Sequence, residues 1–210
     1  MQGRFLLLII SLWTLSPYAW ARDGWSFETL LGDAHNFDTH LKIQQGDFTR
    51  TLTADYKTHG FQTPLYYSGR MAHWNGDRAW ELQLIHHKLY LNNPPTDVES
   101  LSVSHGFNIV TLNHAWDIDG LILRAGVGPV VTHAEARVNG VVYDGPYELS
   151  GAAVLVGAGK RVYFGRSAYV QMEAAATAAY TEPRAEGAPA LKLSVSNIAL
   201  HGMIGIGIDF

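Results

Sequence analysis

From about residue 24 to its C-terminus the chain alternates apolar and polar positions with a period of two, in runs separated by turn-forming residues. Successive side chains of a strand point to opposite sides, so a period of two marks strands whose two faces meet different surroundings. Eight strands are predicted at about 24–32, 64–74, 78–91, 101–116, 120–136, 147–161, 166–180 and 191–210. In the last, Ile198, Leu200, Gly202, Ile204, Ile206, Ile208 and Phe210 share one face, and Ala199, His201, Met203, Gly205, Gly207 and Asp209 the other. One face suits lipid and the other a packed polar interior. The seventh repeats the pattern, Ala168, Val170, Met172, Ala174, Ala176, Ala178 and Tyr180 alternating with Gln171, Glu173 and Thr177.

The connections also alternate. Asn75-Gly76-Asp77, Asp117-Ile118-Asp119-Gly120 and the region of Phe164-Gly165-Arg166 are tight, whereas 33–63, 92–100, 138–146 and 181–190 are long and rich in polar residues, Gly or Pro. Short turns at one end and long loops at the other predict an all-β chain folded as an eight-stranded antiparallel transmembrane β-barrel, with periplasmic termini and the long loops outside the cell. A soluble barrel of lipocalin type is the competing arrangement and would reverse the pattern, apolar inside and polar outside. The apolar face of the last strand, closed by the terminal aromatic Phe210, favours the membrane form.

Residues 1–21 fit a secretory signal peptide: a basic start, the apolar run Phe5 to Leu15, and Ala19-Trp20-Ala21 before Arg22. Residues 22–210 then form one barrel domain bound for the outer membrane. Beyond the leader no run approaches the roughly 20 apolar residues of a spanning helix, so strands must do the spanning. With no cysteine, neither disulfides nor thiolate metal sites stabilise the chain. A net charge of -4 leaves no basic stripe, and no nucleic-acid partner is expected. Glu28, Arg70, Glu81, Gln83, Arg124, Glu173 and Asp209 are expected to face inward, and eight strands enclose a lumen that side chains fill. Opposite charges there should pair and plug it.

If the N-terminus is periplasmic, the end of the third strand, the start of the fourth and the end of the fifth meet at the outer rim. They carry His86, His87 and Lys88, then Ser104, His105 and Asn108, then His133, Glu135 and Arg137. A regular hairpin over 92–100 would set Lys88 opposite Ser104 and His86 opposite Gly106. Imidazole beside carboxylate suits proton transfer near neutral pH, or the binding of a divalent ion through nitrogen and oxygen. His86, Lys88, His105, His133 and Glu135 are the candidate catalytic residues, with His133 and Glu135 as metal ligands and Asn108 and Arg137 as substrate-binding residues. Cations there would suit a phosphate, and outer-leaflet lipid is a phosphorylated glycolipid. Snorkelling Lys and Arg and ordinary rim histidines are the structural alternative. His35, Asp38 and His40 in the first long loop have a spacing that could supply metal ligands, against which a solvated loop is the expected state, and His201 is expected to pack in the lumen. Tyr66, Tyr67, Trp74, Trp80, Tyr90 and Trp116 fall near strand ends, as an interfacial belt requires.

Several segments resemble the family of small outer-membrane barrels known as lipid A oxidases: Gly46-Asp47-Phe48-Thr49, Pro64-Leu65-Tyr66-Tyr67-Ser68-Gly69-Arg70, Glu81 to Lys88, Ser104-His105-Gly106-Phe107-Asn108 before Thr111-Leu112-Asn113, and Gly126-Val127-Gly128 before His133 and Glu135. The resemblance runs from about residue 25 onward, within the broader class of OmpA-like small barrels. It implies dioxygen-dependent oxidation of the proximal glucosamine of lipid A at the outer leaflet, with a divalent metal ion as cofactor. No flavin or nucleotide cofactor is expected, because no fingerprint for either appears. A monomer in contact with lipid A is the expected state. Two rival functions remain: a non-enzymatic OmpA-like structural or surface-binding barrel, and a lipid A deacylase or acyltransferase using Ser104 with His105 or His133.

Overall fold

The computed structural model describes residues 22–187 and 189–210, and the expected signal peptide lies outside them. Eight long strands form the wall: β1 (Arg22–Phe37), β5 (Tyr67–Gly76), β6 (Arg78–Leu91), β7 (Val98–Ile118), β8 (Leu121–Thr132), β11 (Glu148–Tyr163), β12 (Ala168–Thr181) and β14 (Leu191–Asp209). They pair antiparallel in that order, and β1 closes on β14 from Ser26↔Asp209 to Phe37↔Ile198. Closure leaves the barrel strands without a free edge along that seam, the condition for a sheet to sit in lipid. Asp119 and Gly120, at φ 54° and 84°, make the tight turn between β7 and β8. Two consecutive positive φ values match the right-handed twist of the flanking strands.

The two faces separate as the alternation predicts. Leu82, Leu112 and Val127 stand side by side across β6, β7 and β8, each more than half exposed, and Ile204, Ile206 and Ile208 continue the apolar exterior on β14. Inward-facing positions hold Glu28, Arg70, Glu81, Gln83, Arg124 and Glu173, all fully or almost fully buried. Arg70 reaches Glu28 at 2.5 Å, Glu173 at 2.7 Å and Glu81 at 3.6 Å; Arg124 reaches Glu81 at 2.9 Å and also binds Glu173. Arg161 adds an ion pair to Glu28 at 2.6 Å and lies 3.5 Å from the partly exposed Asp209. Beside it Gly207 leaves room for Tyr169, whose ring would come within 2.3 Å of any Cβ there. Trp74 and Tyr66 differ from the expected belt. Both point inward, Trp74 donating to Ser26 Oγ and Tyr66 bonding His201, because they share the lumen parity of their neighbours.

The long-loop end is more ordered than the sequence suggests. The 33–63 segment holds the outer part of β1, the hairpin of β2 (Thr39–Gln45) and β3 (Phe48–Ala54), and the short β4 (Tyr56–Lys57). β2 pairs with the start of β14, and β4 with the end of β6. Arg50 of β3 binds Asp97 at 2.5 Å, and this hydrogen bond holds the Asp97 carboxyl below the usual carboxylate range. The fifth strand also differs: β8 stops at Thr132, and Glu135 begins a separate strand, β9 (Glu135–Val138), which forms a hairpin with β10 (Val141–Asp144). Its turn residues Asn139 and Gly140 have φ of 50° and 76°. A further short strand, β13 (Arg184–Ala185), pairs with β14. Inside these extensions Leu41, Ile43, Leu89, Val103, Phe107, Val138, Leu193 and Val195 form an apolar storey above the ion pairs.

Removing one member of a fully buried charge pair leaves its partner uncompensated. Glu173→Ala should therefore destabilise the barrel by about 3–5 kcal/mol, read as a lower urea midpoint in detergent. Leu112→Arg, on the exterior, should cost about 2–4 kcal/mol in bilayers. In detergent-free aqueous buffer a soluble barrel would instead tolerate it.

Candidate functional site on the exterior wall

The site begins with a break in register. Above it, Leu89 pairs with Val103 and Tyr90 with Ser102; below it, His87 pairs with Phe107 and His86 with Asn108. Two extra residues of β7 bulge out between these registers, so the register expected from sequence is kept only above the bulge, at Leu89 and Tyr90, and the pairing of His86 with Gly106 is not formed. His86 instead faces Asn108, its Nδ1 2.7 Å from Asn108 Oδ1, with its ring stacked on Tyr67. β-bulges re-aim side chains and are common beside functional sites. This one projects His105 outward, next to the point where the chain leaves β8.

His133, Glu135 and Arg137 alternate with buried Thr132, Ala134, Ala136 and Val138, so they occupy the exterior face. The main-chain N–H of His133 donates to Gly106 O at 2.8 Å, which ties the end of β8 to the bulge. One ligand atom from each of His105, His133 and Glu135 lies within 4.8 Å of the other two. His105 Nδ1 is 3.5 Å from Glu135 Oε2. His133 Nε2 lies 2.8 Å from Asp144 Oδ1, while its buried Nδ1 has no hydrogen-bond partner among the described residues. Tyr147 stacks on His133 with ring centres 4.7 Å apart and donates its hydroxyl to His105 O at 2.9 Å. Gly106 makes this approach possible, since a Cβ would sit 2.6 Å from Asn108 Nδ2 and 3.0 Å from the Tyr147 ring.

Five of the seven residues singled out from sequence thus form a band from β6 across the bulge to β9: His86, Asn108, His105, His133 and Glu135. Arg137 continues it, two positions beyond Glu135 on the same face. Lys88 stands apart. Its fully buried ammonium donates to the carbonyls of His59, Gln62 and Pro64 at 2.6–2.8 Å, fastening the loop between β4 and β5. Asp144 and Tyr147 were not legible as site residues, because only the hairpin brings them there; Asn139-Gly140 was the signal for that hairpin. His35 and Asp38 line a cavity of about 730 Å³ with Asp33, Asp55 and His59, but no trio of ligand atoms converges there among the described residues. In the lumen His201 bonds Tyr66 and Thr177, each at 2.8 Å, and His87 bonds Asn36 at 2.9 Å.

No family model matches the sequence, and no curated protein matches it. Among solved structures, the outer membrane protein AlkL, determined by solid-state NMR in DMPC bilayers, superimposes with a TM-score of 0.58. The match covers 94% of this chain and 95% of AlkL at 11% identity. The outer membrane protein OprG of Pseudomonas aeruginosa gives 0.52, covering 90% of this chain and 97% of OprG at 11% identity. The fold is that of a small outer-membrane β-barrel. Its apolar exterior, closed wall and polar, ion-paired lumen agree with that architecture, and the outer membrane is its location. The likeness extends to the fold alone, and the chemistry of this barrel has to be argued from its own residues.

Lys88→Met would remove three charge-assisted hydrogen bonds while keeping the stem. The 59–64 loop of the folded barrel should then become cleavable by added protease at least several-fold faster, with the wall strands still protected.

Proposed function

We propose that this barrel is an outer-leaflet enzyme that oxidises a phosphorylated glycolipid of the lipid A type with dioxygen, its long loops facing outside and its termini the periplasm. The observation that carries the reading is the trio of His105, His133 and Glu135. Two imidazoles and one carboxylate form the donor set that in other proteins holds iron(II) with positions left open. The residues fit such an ion: one ligand atom from each converges, and the buried His133 Nδ1 has no hydrogen-bond partner among the described residues. When bound, a redox-active ion of this kind supplies the electron transfer to dioxygen that protein side chains do not provide.

The chain's own residues supply the remainder. The trio lies on the face that continues the lipid-facing wall, so a glycolipid whose acyl chains lie along Val127 and Leu112 brings its sugar to this height. Arg137 suits an anionic substituent on that sugar, as a guanidinium binds phosphate through paired N–H groups. His86, held by Asn108 and Tyr67, gives the sugar hydroxyls a polar flank. The reaction implied by the resemblance balances on a proximal glucosamine with a free anomeric hydroxyl. Its anomeric carbon loses two electrons and two protons to dioxygen, giving a lactone and hydrogen peroxide, and water then opens the lactone to an aminogluconate. The glycolipid gains one oxygen overall.

A non-enzymatic structural barrel is the second reading. The filled lumen favours it as far as transport is concerned, since ion pairs and the apolar storey block the bore. The Ser104 hydroxyl, on which a deacylase would depend, lies outside the described side chains.

Mass spectra of lipid A from cells with and without the protein, grown in air and then with oxygen excluded, separate these readings. The expected result is a gain of one oxygen that needs both protein and air and disappears in His133→Ala and Glu135→Ala. Unchanged lipid A at confirmed surface expression selects the structural barrel, and loss of an acyl chain the deacylase.

A further inference from the structure

We propose that Asp144, on the β9–β10 hairpin, is a positioning residue for the ion site: it locks the His133 imidazole as the Nε2–H tautomer, so that His133 binds the ion through Nδ1. The inference rests on the ion-binding reading of the trio above and names a residue outside it.

Three observations carry it. His133 Nε2 is 2.8 Å from Asp144 Oδ1, and a carboxylate only accepts, so the proton sits on Nε2. The other nitrogen, Nδ1, is buried without a hydrogen bond, which is costly unless a ligand takes its lone pair. Histidine ligands commonly give their second N–H to a carboxylate, which fixes tautomer and ring angle. The third observation is the register of the hairpin. Asp144 stands directly opposite Glu135, and Ser102 opposite Glu135 on the other side. Two carboxylates facing one another across a ladder repel, so with no cation between them this pairing would weaken the hairpin. A cation on His105, His133 and Glu135 places positive charge where both carboxylates benefit, one as ligand and the other through His133. Tyr147 completes the support by stacking on the His133 ring and holding the bulge through its hydrogen bond to His105 O.

The hairpin is thereby coupled to the ion. Its turn residues bond elsewhere, Asn139 to Gln45 and Gly140 to Glu99, while its last residue, Asp144, bonds His133. Ion binding should therefore tighten β9–β10 as a unit, a consequence that a purely local ligand trio does not have.

The test uses the protein purified from outer membranes in detergent, with cobalt(II) as a spectroscopic probe and iron(II) added anaerobically in parallel. Wild-type protein should bind one cobalt(II), with His133 nitrogen resonances showing Nε2–H and a metal on Nδ1. Asp144→Ala should weaken binding by about 10- to 100-fold, shift the cobalt absorption bands and mix the His133 tautomers. Asp144→Glu, which keeps the acceptor, should restore most of the affinity and the single tautomer. Amide exchange in residues 135–144 should slow on adding cobalt(II) to wild type and not in Asp144→Ala. Heat-modifiable gel migration reports that each variant keeps the folded barrel, which the exposed position of Asp144 favours. If Asp144→Ala binds cobalt(II) as tightly as wild type with His133 still coordinated through Nδ1, Asp144 is not a positioning residue and the trio stands without it. If wild type binds no cobalt(II), or binds it equally after His133→Ala, the ion site itself is wrong and the role of Asp144 falls with it.

Discussion

The lattice of arginine and glutamate inside the barrel is the interaction on which the rest depends. A wall of eight strands encloses a bore that its own side chains must fill, because neither lipid nor a second sheet reaches it. Arg70 sits among three carboxylates and Arg124 between two, with Arg161 extending the lattice toward the chain ends. Each of these residues comes from a different strand: β1, β5, β6, β8, β11 and β12 all contribute one. A one-residue slip of any strand would expose its charge to lipid and leave partners unpaired. The lattice thus specifies register around most of the ring, a role for buried ion pairs that differs from raw stability.

Above the lattice the lumen changes character. Polar bonding through Gln83, Asn113 and Ser68 gives way to the histidine and asparagine contacts of His87, His201 and Asn36, and then to an apolar storey capped by the β2–β3 and β9–β10 hairpins. These hairpins lengthen the wall beyond the lipid-facing belt. The site lies at this transition, where β8 hands over to β9 and the wall can bulge without opening the bore. With the bore closed and filled, the trio of His105, His133 and Glu135 stands on the exterior surface. In the proposed reading, chemistry on such a wall would differ from that of a cleft enzyme: the membrane would supply the hydrophobic half of the binding site, and the protein would present polar groups at the height of the sugar.

Period-two alternation with unequal connections was enough to predict the eight wall strands and their faces. The inward charges, the apolar exterior and the two faces of β14 all follow from side-chain periodicity, a property of the backbone that any strand shares. Part of the site was legible for the same reason, since His133, Glu135 and Arg137 at alternate positions must share a face. That they approach His105 was not. Two extra residues in β7 displaced His86 from Gly106 to Asn108, and a bulge leaves no periodic signature because it interrupts the period itself.

Lys88 shows the same limit from the other side. By type and position it looked like a phosphate ligand, yet three carbonyls of a loop more than twenty residues away surround its ammonium. Likewise Asp144, a loop aspartate in the sequence, becomes the partner of His133 only through the turn at Asn139-Gly140. The sequence by itself determined which residues face lipid and which face the lumen, because that choice depends on local alternation and on the difference between hydrocarbon and packed charge. Tertiary structure decided which polar groups meet, because bulges, hairpin registers and loop returns are set by the sum of distant pairings and by the closure of the ring.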